Sequence, residues 1–190
     1  MPAAGKFIYL SFDDGPHPVA TPWVLNELGK YDAKGTFFCI GKNVVQFPEL
    51  YSQILAAGHN VGNHTFSHLN GWKTPVEHYM ADIEKATGPI NSHLFRPPYG
   101  RIRRGQAKRL KSVLQKDNAK VVMWDVLSAD FDTSLTGDEC ANIVLKHAEP
   151  GSIVVFHDSE KAFPRLKIAL PVVLATLSEI GYSFRNLEAV

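Results

Sequence analysis

The residues able to do chemistry gather in a few short segments, and the first carries two adjacent acids, Asp13 and Asp14, in SFDDGP at 11–16. On their own, two acids ahead of Gly15-Pro16 fit an Asx-type turn. The segment GHNVGNHTFSH at 58–68 adds His64 and His68 at i and i+4, the spacing that sets two imidazoles on one face of a helical turn. Alone, such a pair fits a polar surface or satisfied core histidines as well as a ligand pair. A carboxylate from Asp13-Asp14 completes a two-His, one-carboxylate set with positions left for water and substrate, the pattern of catalytic rather than structural metal sites. Such a site generates hydroxide near neutral pH.

Further polar groups follow the same theme. Arg96 opens RPPYG at 96–100, where Pro97 and Pro98 stiffen the backbone, so Arg96 and the Tyr99 amide are presented with little entropy left to lose. Asp130 and Asp132 lie beyond the apolar run 121–124, and His157-Asp158 end the run 153–156.

The elements that must position these groups are short apolar runs alternating with helical patterns. Phe7–Phe12, Thr36–Ile40, Val121–Trp124, Ile153–Phe156 and Tyr182–Phe184 read as strands with buried faces, with shorter ones near 60–62 and 93–95. Thr21-Pro22 opens a helix whose Val24, Leu25, Leu28 and Tyr31 follow a 3.6-residue period. TPVE at 74–77 and TGDE at 136–139 both fit the capping box that starts a helix. About seven strand–helix units joined by short connections imply parallel strands and right-handed crossovers, hence an α/β chain folded as a distorted, incomplete (β/α) barrel. In that fold the chemistry belongs at the C-terminal ends of strands, where the acids and imidazoles fall.

Taken together, residues 11–16, 64–68, 96–100, 124–131 and 155–158 resemble the polysaccharide deacetylase family, also called the NodB-homology domain or carbohydrate esterase family 4. All five family motifs occur in order from Ser11 to Asp158, so the resemblance spans a whole domain, taken as residues 1–190. It implies a hydrolase that removes N-acetyl groups from N-acetylglucosamine-containing polysaccharide or oligosaccharide: peptidoglycan, chitin or chitooligosaccharide. It implies a divalent metal on Asp14, His64 and His68, usually zinc, with cobalt, nickel or manganese as alternatives. By the same resemblance Asp13 is the catalytic base, Arg96 pairs with it and orients it, His157 is the general acid, and Asp130 tunes that acid. The Tyr99 amide becomes an oxyanion donor, Val155 lines the acetyl-methyl pocket, and Pro97, Phe131 and Trp72 are candidate substrate contacts. These roles fit amide hydrolysis, in which water activated at the metal attacks the acetyl carbonyl, Asp13 takes its proton, and His157 protonates the departing amine.

One position departs from the pattern: Asp130 is followed by Phe131, where the family usually has tryptophan, which keeps an aromatic wall but loses the indole N–H. Asp125 and Asp132 read as turn or capping groups, and His17, His59, His78, His93 and His147 as structural or solvated. The basic run 101–111 reads as an exposed helix face, with recognition of an anionic cell-wall polymer as the other reading.

Bulk properties narrow the classes. The 190 residues, 45% apolar, suffice for one substantial core. A net charge of +1 and a pI near 7.8 give no field suited to nucleic acid. Two cysteines, Cys39 and Cys140, are too few for a disulfide framework or thiolate cluster and read as small buried hydrophobes. No apolar run approaches the roughly 20 residues of a membrane span, and the first six residues lead to a strand without a signal-like core.

Three other readings stay open: an O-acetyl (acetyl-xylan) esterase or small-amide hydrolase with the same site, a non-haem iron oxygenase built on the same triad, and a non-catalytic glycan-binding module. A monomer is expected. The resemblance favours an extracytoplasmic or envelope location over a cytoplasmic one, with a leader or anchor expected outside these residues because Phe7 opens the first strand so early.

Overall fold

In the computed structural model, which describes residues 6–187, the first strand sets the plan for the rest. The reading of a signal-free start falls on residues 1–5 and lies outside the described residues. Along β1 (Lys6–Asp13) side chains alternate between two faces. Ile8, Leu10 and Phe12 are fully buried among helices, each contributing roughly 1.5–3 kcal/mol of burial. Tyr9, Ser11 and Asp13 point the other way. A strand covered on both faces must belong to a sheet that curls around an interior.

The order continues as α1 (Ala20–Gly29), β2 (Gly35–Cys39), α2 (Gly41–Gln46), α3 (Pro48–Ala56), β3 (Asn60–Asn63), α4 (Val76–Thr87), β4 (Leu94–Phe95), a 3-10 turn at Pro98–Gly100, α5 (Arg104–Lys108), α6 (Leu110–Leu114) and β5 (Lys120–Val121). It ends with β6 (Val126–Leu127), α7 (Gly137–His147), β7 (Ile153–His157), α8 (Phe163–Glu179) and β8 (Tyr182–Phe184). All pairings are parallel, in the order β5-β4-β3-β2-β1-β7-β6, with β8 on the Lys6–Ile8 half of β1. The curled sheet stays open between β5 and β6, so the expected distorted, incomplete (β/α) barrel is the fold.

The opening explains the main departure from the sequence reading. Val121–Trp124 reads as one strand, yet only Lys120–Val121 pairs with β4, residues 122–125 cross the gap, and Val126–Leu127 pairs as β6 with β7. One extended run therefore serves both free edges. β6 is the strand that the sequence pattern does not mark.

Cores lie on both faces of the sheet. Outside, β1, β2 and β7 pack against α1, α7 and α8, while Phe95 and Val121 meet Tyr79, Ile83, Leu110 and Leu114. Inside, Phe38, Leu94 and Leu187 are joined by Tyr9, Val122 and Ile153 as an apolar floor. Gly62 keeps room for the Phe38 ring, since a Cβ there would sit 2.4 Å from it.

Local signals were read with mixed success. Thr136 and Glu139 form the expected capping box of α7. Thr74 and Glu77 do not, because Pro75 takes the N-cap position, α4 starts one residue later, and Glu77 pairs with Arg109 instead. The helix expected from Thr21-Pro22 starts at Ala20, where the His17 ring accepts the Val19 and Ala20 amides. The basic run forms two short helices, α5 and α6, rather than one face. Among the described residues no helix is long and apolar enough to cross a membrane.

Candidate active site

The strand ends converge because the register demands it: Asp13 pairs in the sheet with His157 on one side and Phe38 on the other. A cavity of about 400 Å3 is lined by Asp13, Asp14, His64, His68, Tyr99, Trp124, Leu127, Phe131, Val155, His157 and Lys161. Trp72 and Pro97 do not line it. The Trp72 ring is stacked by Arg101 at 4.2 Å and its indole N–H donates to the Ile102 carbonyl.

Asp13 is fixed by a fully buried cation. Arg96 Nη1 donates to Asp13 Oδ1 and to Ser11 Oγ, each at 2.8 Å, while Nε and Nη2 donate to the Val122 and Met123 carbonyls at 3.2 Å. Its plane lies 4.0 Å over the Phe38 ring. Four hydrogen bonds and a stacked face leave the guanidinium one orientation, so Asp13 is held with its other oxygen toward the cavity.

Asp14 leaves the strand at a φ of 80°, which turns its side chain away from that of Asp13. Asn43 Nδ2 donates to its carbonyl at 2.8 Å. The following turn rests on the buried Asp158, which accepts the Gly15 N–H at 3.1 Å and the Thr21 hydroxyl at 2.5 Å. Only glycine fits at position 15, since a Cβ would lie 2.1 Å from Asp158 Oδ2. Burial, aided by the charge of Asp14, pushes the Asp158 carboxyl up to about 8.

The spacing of His64 and His68 predicts a helical turn, but residues 64–68 form a loop with Thr65 and His68 at φ 63° and 58°. The Asp82 carboxylate on α4 accepts the Phe66 and Ser67 amides at 3.0 and 2.9 Å and supplies the rigidity that a helix would have given. The rings still meet, with centroids 5.1 Å apart. Of the seven non-glycine residues at positive φ among the described residues, Asp14, His68 and Tyr99 line this cavity, and Thr65 and Ala129 adjoin His64 and Asp130 in sequence. Such concentration of costly backbone is the habit of functional sites.

The three candidate ligands fit a metal ion. Asp14, His64 and His68 each offer an atom, all within 4.8 Å of one another. His64 Nδ1 faces the Arg96 carbonyl at 2.7 Å and must be the protonated nitrogen, so Nε2 of the neutral ring carries a lone pair toward Asp14 Oδ1, 3.6 Å away. Burial lowers the His64 pKa, an effect only partly offset by Asp13 and Asp14, which keeps that lone pair free. Asp14 Oδ1 is buried without a hydrogen bond, although His68 Nε2 lies 3.1 Å away. Burial raises the Asp14 pKa, but contact with His68 and the neighbouring imidazoles overturn this and hold it well below the usual range. Lone pairs converging on an orphaned carboxylate oxygen call for a cation between them.

On β7, the strand beside Asp13, His157 Nδ1 and its backbone N–H meet the two oxygens of the buried Asp130 at 2.7 and 2.9 Å. Burial opposes the charged ring, but the Asp130 hydrogen bond and charge, aided by Asp13 and Asp14, push His157 up to about 9. Arg165 Nε anchors the Asp130 carbonyl at 2.6 Å, and the Phe131 ring stands edge-on to His157 at 5.3 Å. The Tyr99 ring packs on His68 at 4.8 Å.

The sequence reading gave no role to Ser11, Asn43, Asp82, Asp158 or Arg165. Each acts through hydrogen bonds to backbone or to another side chain over long sequence separations, so only Asp158, beside His157, had a local signal. Three groups read as structural hold backbone amides. Asp125 accepts the Ile153 amide, Asp132 caps Ser134, and the buried His59, pushed down by burial to about 4, accepts the Gly35 amide. Cys39 and Cys140 are buried and unpaired.

Comparison with known proteins agrees with this arrangement. The family model described as polysaccharide deacetylase matches residues 1–122. A peptidoglycan-N-acetylglucosamine deacetylase of Bacillus cereus is 36% identical over 97% of this chain and 87% of its own. A chitooligosaccharide deacetylase of Azorhizobium caulinodans is 34% identical over 80% of this chain and 73% of its own. The crystal structure of the Bc1960 peptidoglycan N-acetylglucosamine deacetylase superposes with a TM-score of 0.89 at 31% identity, covering 99% of this chain and 89% of that one. The chain belongs to the polysaccharide deacetylase family.

Proposed function

We propose that the chain is a metal-dependent hydrolase that removes N-acetyl groups from N-acetylglucosamine units of an extracytoplasmic glycan, working as one catalytic domain. The observation that carries this reading is the meeting, in one cavity, of an arginine-held carboxylate and an imidazole raised by its own carboxylate partner. Asp13, its Oδ1 locked by Arg96, presents its other oxygen to the cavity as an acceptor, while His157, raised to about 9 beside Asp130, holds a proton it can give.

Asp14, His64 and His68 would hold the ion, with zinc favoured by the two-imidazole, one-carboxylate donors and cobalt, nickel or manganese as substitutes. Such an ion supplies Lewis acidity toward a carbonyl oxygen and lowers the pKa of water. The chain's own residues do the rest. Asp13 Oδ2 accepts the proton of the attacking water, and Arg96 keeps that oxygen aimed. The Tyr99 N–H donates to the carbonyl oxygen as negative charge grows on it. Val155 and Leu127 receive the acetyl methyl, and Phe131 walls the sugar. As the C–N bond breaks, His157 passes its proton from Nε2 to the leaving nitrogen, and Asp130 stabilises the ring throughout.

Acetate release from chitooligosaccharides and from peptidoglycan tests the reading. Wild type should release acetate, and Asp13→Asn and His157→Gln should each abolish release while retaining glycan binding. Binding by wild type without acetate release from either polymer would make the chain a glycan-binding module instead.

A further inference from the structure

Among the residues lining the cavity, Lys161 is the one permanent cation, and neither the acid–base pair nor the metal ligands use it. It lies on the loop between β7 and α8, its side chain is exposed, and among the described residues its ammonium makes no ion pair. The carboxylate that feels its charge, Asp132, is committed to the Ser134 amide and hydroxyl at 2.9 and 2.7 Å. Nor is it needed to balance the site. Arg96 and a charged His157 offset two of the carboxylates Asp13, Asp14 and Asp130, and a divalent ion would more than offset the third. An unpaired charge at the mouth of a binding cavity is positioned to meet a charge on what enters.

Resting on the deacetylase reading above, we propose that Lys161 is a specificity-determining residue that engages a carboxylate carried by the sugar next to the reacting N-acetylglucosamine. It thereby favours acidic glycan over neutral chitooligosaccharide. Two sources present that chemistry in cell-wall glycan: the lactyl carboxylate of a muramoyl sugar stripped of its peptide, and the acidic groups of an attached stem peptide. Chitin presents neither. The same cavity is lined by the acids Asp13 and Asp14, so a substrate carboxylate is favoured beside Lys161 rather than beside them.

The test uses three tetrasaccharides: chitotetraose, a peptide-free glycan with lactyl carboxylates, and the same glycan bearing stem peptides. For an exposed charge pair the ratio of kcat/KM on acidic to neutral substrate should fall about two- to fivefold in Lys161→Met, further in Lys161→Glu, and hardly in Lys161→Arg. The loss should sit in KM and shrink at high salt. The acidic substrate that responds identifies the source of the carboxylate. Equilibrium binding of the same glycans, followed by quenching of Trp124 in the cavity, reads the same ratio without turnover, so a failure of the deacetylase reading does not mask the result. An acidic-to-neutral ratio unchanged in Lys161→Met and Lys161→Glu, by both readouts, overturns the proposal.

Discussion

Asp130→Asn alters His157 by a route that hydrogen-bond counting makes explicit. The two Asp130 oxygens accept from two donors of the same residue, the His157 backbone N–H and ring Nδ1–H. An asparagine has one acceptor oxygen and one donor nitrogen. The backbone N–H cannot change its role, so the amide oxygen must turn to it and the amide nitrogen must face Nδ1. The ring is then driven to the tautomer with its proton on Nε2 and loses the reason to be charged. Asp130 is the foremost cause raising His157 to about 9, whereas burial alone lowers it. The variant's ring should therefore titrate at or below the ordinary value of 6.5. The side chain is 14% exposed, so little of the effect is screened by solvent. A displacement from 6.5 to about 9 corresponds to about 3 kcal/mol of stability. Because the folded value is raised, that contribution is fully present below pH 6.5 and disappears as pH climbs through about 9. Asp158, raised to about 8, titrates in the same window in both proteins, so the difference between wild type and variant isolates the ring. Proton NMR of the His157 ring in chelator-treated protein, assigned with His157→Gln, gives both midpoints directly. By analogy with wrong-tautomer substitutions in other triads, kcat should fall on the order of 10^3–10^4-fold. A wild-type midpoint near 6.5, or one that Asp130→Asn leaves in place, would refute the reasoning.

Arg96→Gln removes the cation of a buried pair and strands Asp13, so denaturant unfolding should show a loss of about 3–5 kcal/mol, with activity reduced well beyond what the stability loss explains. Gly15→Ala forces a Cβ onto Asp158 and shifts the turn that carries Asp14, so isothermal titration should show metal affinity falling about tenfold or more. Gly29→Ala, with open space around the added methyl, should leave that affinity alone and raise stability by up to about 1 kcal/mol. Since Trp72 lies off the cavity while Phe131 lines it, Phe131→Ala should raise the KM for chitooligosaccharide more than Trp72→Ala does.

Much of this was readable from residue order because β strands translate sequence spacing into position. Asp13 and His157 each end a strand, and period-2 alternation put both on the inner face once their outer neighbours were apolar. Arg96 followed the same rule at the end of β4. The failures occurred where tertiary contacts overrode local pattern. His64 and His68 meet without a helix because Asp82, on a later element, ties down the loop between them. Pro75 displaced the capping box expected at Thr74. The run 120–127 split between two sheet edges because the barrel does not close, which no periodicity in that segment encodes. Trp72, a candidate substrate contact by its type and place in sequence, lies off the cavity with an arginine stacked upon it that those signals do not reveal.

The central claim, that Asp14, His64 and His68 hold an ion required to cleave an acetyl–nitrogen bond, is met most directly by one stoichiometric assay. Chelator-stripped protein is mixed with chitooligosaccharide or peptidoglycan before and after reloading with zinc, cobalt, nickel or manganese, and acetate and free amine are counted together. The account predicts no turnover when stripped and equal acetate and amine on reloading. Acetate release that survives stripping, or acetate without amine, would contradict it.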